Sequence, residues 1–142
     1  MILSGKYDKK KALEQTLTLW NEIAENPQMN KFFALKALCM DTDMFCHCPI
    51  CEYTVIVYGF DFSKGFLFAD CEHCPVEWKE VNKVDSKRTQ PCVKSYFGLW
   101  VDTYSKYMET KDEKLLNSLK LYAIRIASIM EDKLDELESN QK

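Results

Sequence analysis

Two cysteine pairs carry the most specific chemistry in this sequence. Cys48-Pro49-Ile50-Cys51 and Cys71-Glu72-His73-Cys74 are separated by 19 residues, inside the C-x2-C-x15–20-C-x2-C spacing of a four-thiolate zinc site. A two-residue gap lets one tight turn offer two sulfurs to a single ion, at bond lengths of about 2.3 Å. Zinc draws the thiols into thiolates and couples its binding to folding. Cys48, Cys51, Cys71 and Cys74 are therefore the expected ligands, with Cys92 in reserve and Cys46 a further spare beside the first pair. Five cysteines would also suit an iron–sulfur cluster, which stands as the alternative cofactor. Glu52 and Pro75 sit where many thiolate turns carry Gly, and Pro75 has no N–H to offer a sulfur. His47 and His73 read as intervening residues, and Cys39, on an apolar helical stripe, as core.

Other reactive constellations do not assemble. The first C-x-x-C alone resembles a redox dithiol, but such a motif follows a strand and opens a helix, whereas this one precedes a β-rich run. There is no H-x-E with P-C-x-x-C, no phosphate-binding glycine loop, no H-E-x-x-H and no nucleophile elbow. Both histidines flank the cysteine turns, and a closed structural zinc leaves no position for water. The expectation is a protein that is not an enzyme.

The elements that must place these cysteines follow from periodicity. From about Asp8 to Glu25, Leu13, Leu17, Trp20, Ile23 and Ala24 recur at three- and four-residue spacing and predict an amphipathic helix ended by Asn26-Pro27. A shorter helix is expected from Asn30, through Phe32, Phe33, Leu35, Leu38 and Cys39. Thr54 to Tyr58 and Phe66 to Ala69 are β-branched or aromatic runs around the turn-rich Gly59 to Gly65, and predict a β-hairpin with a cysteine pair at each outer end. Glu77 to Pro91 reads as a loop or irregular strand. Ser95 to Glu109 places Tyr96, Leu99, Trp100, Tyr104 and Tyr107 on a helix. Thr110-Lys111-Asp112-Glu113 has the form of a capping box, opening a last helix to about Glu138 with Leu116, Leu119, Ala123, Ile126, Met130, Leu134 and Leu137 on one face. Five acids crowd that helix's C-terminus, where they oppose the macrodipole, so it should fray unless something binds it.

The resulting expectation is a mainly helical α+β fold, one domain over residues 1–142. A small β-hairpin zinc ribbon (45–78) is inserted between N- and C-terminal helical pairs. At 142 residues and 46% hydrophobic composition the chain can bury a core of its own. Nineteen basic residues against 22 acidic ones give a net charge of −3. Four thiolates (−4) and one zinc ion (+2) would take it to −5. Neither value suits a general nucleic-acid binder, which needs a strongly basic face. Lys79, Lys83, Lys87 and Arg88 beside Trp78 still form a candidate partner contact, and a nucleic-acid-binding zinc ribbon is the alternative function. No apolar run has signal-peptide or membrane-span length, and the odd count of seven cysteines fits metal ligation in a reducing compartment better than disulfides. The expected location is cytoplasmic.

Leu19-Trp20-Asn21-Glu22-Ile23-Ala24-Glu25-Asn26-Pro27, Cys48-Pro49-Ile50-Cys51-Glu52-Tyr53, Cys71-Glu72-His73-Cys74-Pro75-Val76, and then Cys92 with Tyr96 and Trp100 occur in this order. The series resembles small uncharacterised proteins of tailed bacteriophages, which show W-x-x-[IL]-A-x-N-P, C-x-x-C-E-[YF], C-x-x-C-P-[LIV], a later lone Cys and an aromatic helix. Cys46 and the long intervening hairpin depart from that pattern. The resemblance brings no activity with it. It implies an accessory role in the cytoplasm of a bacterial host and strengthens Cys92 as a ligand. The functional expectation is a non-enzymatic, zinc-stabilised interaction protein that binds and inhibits or redirects a host protein.

Overall fold

The computed structural model describes residues 8–29, 53–54, 57, 74–78, 81 and 95–140. Three long helices organise them: α1 (Lys9–Glu25), α2 (Tyr96–Thr110) and α3 (Lys114–Asn140). The carboxylate of Asp8 opens α1 by accepting from the Lys11 N–H at 3.2 Å, which satisfies one orphan donor of the first turn. Asn26 closes it: its backbone N–H donates to the Glu22 carbonyl at 3.0 Å, and its side-chain amide donates to Glu22 Oε1 at 3.1 Å. Pro27 follows, where the helix cannot continue.

The long helix α3 is the common support on which α1 and α2 both pack. Lys10 lies at the Glu138 end of α3, so α1 runs antiparallel to it. The short connection after Thr110 folds α2 back along α3, with Tyr96 against Tyr122. Ala12, Leu13, Leu19, Trp20 and Ile23 of α1 are buried with Leu119, Ala123, Ile126, Ala127 and Met130 of α3. Thr16 belongs to the same buried stripe and is accommodated because its hydroxyl donates to the Ala12 carbonyl at 2.8 Å. The helices α1 and α2 meet through aromatic rings. Trp20 stands edge-on to Phe97 (5.9 Å, 81°) and to Trp100 (5.1 Å, 89°), and Trp100 stacks on Tyr104 at 5.2 Å. Edge-to-face pairs of this kind add about 1 kcal/mol each beyond the area they bury.

The turn between α2 and α3 differs from the expected capping box. The Thr110 hydroxyl is turned back into α2, donating to the Lys106 carbonyl at 2.8 Å while accepting from the Asp112 N–H at 3.2 Å. Asp112 caps α3 instead, its Oδ1 accepting from the Lys114 N–H at 3.0 Å. Between them Lys111 adopts φ 54°, ψ 29°, the left-handed conformation that ends many helices and usually falls to glycine.

The described residues contradict the expected β-hairpin zinc ribbon inserted between helical pairs. Helix accounts for 81% of the described residues and strand for none, so the α+β reading gives way to an all-helical frame there. Tyr53, Thr54 and Val57, from the run read as the first strand, are helical. Tyr53 and Thr54 are both buried, at 6% and 1% exposure, whereas neighbours on a half-buried strand point to opposite faces. Strand preference spans only about 1 kcal/mol per residue. Burying one aromatic side chain in the shared core stabilises by more, about 2 kcal/mol. The Gly59–Gly65 turn, the Phe66–Ala69 run and the helix expected from Asn30 lie outside the described residues.

Candidate functional site

Cys74 is the one proposed ligand among the described residues. It begins the segment 74–78, which lies against the helical core. Val76 is buried at 5% exposure, and half-buried Cys74 and Trp78 pack on the same cluster. Apolar anchoring at Val76 and Trp78 thus fixes the backbone next to Cys74. Cys48, Cys51, Cys71, Cys92 and Cys46 lie outside the described residues, as do Cys39, His47, His73, Lys79, Lys83, Lys87 and Arg88. Among the described residues no three His, Cys, Asp or Glu side chains converge as a metal site.

The same segment forms one wall of an open cleft of about 320 Å³. Glu77 faces Tyr96 of α2 and Arg125, Asp132, Lys133 and Glu136 of α3 across it. Lys133 is held by Glu136 at 3.2 Å, its side chain only 18% exposed. The cleft mixes both signs of charge, and within it Lys133 is committed to an intrahelical ion pair. Sequence reading missed this feature. Its signal was present as the spacing 125, 129, 132, 136, which places Arg125, Ile129, Asp132 and Glu136 on one side of a helix.

Trp78, Tyr104 and Tyr107 are all half-buried and packed against the core. Tyr104 and Tyr107 lie 6.5 Å apart, and the Lys111 ammonium sits 5.4 Å over the Tyr107 ring. They form neither a broad open patch nor a fully buried group. Two polar atoms at the start of α2, Ser95 Oγ and Trp100 Nε1, are buried with no hydrogen-bond partner among the described residues.

Among the described residues no helix is long and apolar enough to cross a membrane. Comparison with protein-family models, curated proteins and solved structures finds no match to this chain.

Proposed function

We propose that the protein is a non-enzymatic interaction protein whose cysteine pairs, Cys48/Cys51 and Cys71/Cys74, hold one structural zinc. The observation that carries this reading is the spacing of the pairs, and the seating of Cys74 on the core beside Val76 and Trp78 supports it. Thiolate donors in this number suit zinc, which supplies cross-links and no open coordination position. Cys92 is the reserve ligand. The ion then fastens the central part of the chain to the helical frame, and that part carries Lys79, Lys83, Lys87 and Arg88 toward a partner. The resemblance to phage proteins favours a bacterial host protein as that partner.

Two measurements test the two halves of the reading. Zinc per chain is measured across single Cys→Ser variants, with one zinc expected in the wild type and in Cys39→Ser and loss in Cys48→Ser and Cys74→Ser. Retention in every variant overturns the site, and a brown protein containing iron replaces zinc with a cluster. Tagged protein in bacterial lysate is expected to retain one stoichiometric partner that zinc chelation releases. Salt-sensitive retention on DNA without any protein partner favours the nucleic-acid alternative instead.

A further inference from the structure

The outer face of α3 combines exposed apolar side chains with segregated charge. Leu121 and Ile124, three residues apart on one side of the helix, are 48% and 46% exposed. They are flanked toward the N-terminus by the exposed bases Lys114 and Lys120, with no acid between residues 114 and 130. Toward the C-terminus, Glu131, Asp135 and Glu138 are exposed on the same side, while Asp132 and Glu136 line the cleft and the one base in this stretch, Lys133, is half-buried against Glu136. This order places positive side chains near the positive end of the helix dipole and negative ones near its negative end. Both placements are unfavourable for an isolated helix.

We propose that this face docks a second copy of the chain, α3 against α3 in antiparallel orientation about a two-fold axis. A two-fold contact is self-complementary, so the same patch serves both copies. Antiparallel pairing lays the basic half of each α3 along the acidic half of the other and opposes the two macrodipoles. It also covers Leu121 and Ile124 on both chains. A parallel pair would set like charges side by side along the whole helix. Two large apolar side chains per copy fall short of the interface that a permanent dimer needs, so the association is reversible and driven in good part by exposed charge. Its strength therefore depends on salt. The Lys10–Glu138 pair shows how α1 already uses the acidic end in the same antiparallel sense. The proposal does not depend on zinc.

Sedimentation velocity of the full chain, from micromolar to several hundred micromolar at low and high salt, tests this. A monomer–dimer equilibrium is expected, weakened about tenfold or more by high salt. The pair Leu121→Ser and Ile124→Ser should be monomeric. Lys114→Glu with Lys120→Glu in one chain, and Glu131→Lys with Asp135→Lys in another, should each lose self-association. Mixing the two should restore a heterodimer. Circular dichroism verifies that each variant keeps its helices, and the wild-type salt dependence stands without any variant. A chain that stays monomeric at every concentration overturns the proposal. So does a dimer indifferent to salt, or one retained by both charge-reversed variants.

Discussion

Ser95 occupies the N-cap of α2, yet its hydroxyl makes no cap hydrogen bond and is buried without a partner among the described residues. Replacing a capping serine with alanine ordinarily costs about 1 kcal/mol. Here there is no cap bond to lose, and burying an unpaired hydroxyl costs about 1–3 kcal/mol. The Ser95 backbone does the local work, its carbonyl accepting from the Gly98 N–H at 3.0 Å, and alanine preserves that bond. Ser95→Ala should therefore be neutral or stabilising by about 1 kcal/mol in chemical unfolding. A loss larger than 1 kcal/mol would reveal a hidden partner for the hydroxyl. Trp20 is the opposite case. It is 1% exposed and stands edge-on to two rings, so Trp20→Ala should cost about 3–5 kcal/mol.

The turn between α2 and α3 shows what element-scale patterns convey and where they stop. Both helices were legible from apolar spacing, as was α1 with its Asn26-Pro27 end, because burial on α3 decides their facing sides. Thr16 and Leu19 escaped the stripe read for α1: threonine scores as polar, yet a helical threonine can spend its hydroxyl on the preceding turn, as Thr16 does on Ala12. The capping box failed by two residues. Thr110 and Asp112 are both competent caps, and the left-handed Lys111 between them assigns one to each helix. Asp112→Ala should lower stability by about 0.5–2 kcal/mol, and Lys111→Gly should raise it by up to about 1 kcal/mol by relieving the left-handed backbone. Paired thermal unfolding curves check both signs. The β-hairpin was misread for a different reason. Residues 54–58 have strand composition, but local preference is weaker than the burial of Tyr53 in a distant helical core. The proposed metal site rests on spacing alone, and of its proposed ligands the described residues place Cys74.

At the scale of the molecule, Cys74 is the one proposed zinc ligand among the described residues, and it lies at the edge of the core of α1, α2 and α3. If the proposed zinc is bound, it adds to a helical frame whose buried core is apolar. Chelating zinc at neutral pH should lower the unfolding temperature and loosen the central part of the chain, while most of the far-ultraviolet helical signal persists. Full loss of that signal would mean that the metal organises the helices themselves. The Lys10–Glu138 pair spans 4.0 Å between well-exposed side chains and should contribute little. Lys10→Ala is expected to change stability by less than about 0.5 kcal/mol.

That α3 supports both other helices also sets an order of events as the chain folds. Only residues 111–113 separate α2 from α3, whereas 70 residues separate the end of α1 from the start of α2. Closing so long a loop costs on the order of 4 kcal/mol of chain entropy, against far less for the short one. The α2–α3 hairpin should therefore form first and present the groove onto which α1 later docks. Two substitutions of the same chemistry separate the steps. Leu99→Ala, within the hairpin, should chiefly slow refolding. Leu13→Ala, on α1, should leave the refolding rate nearly unchanged and speed unfolding. The helix nearest the beginning of the sequence is, on this account, the last to arrive and the first to leave.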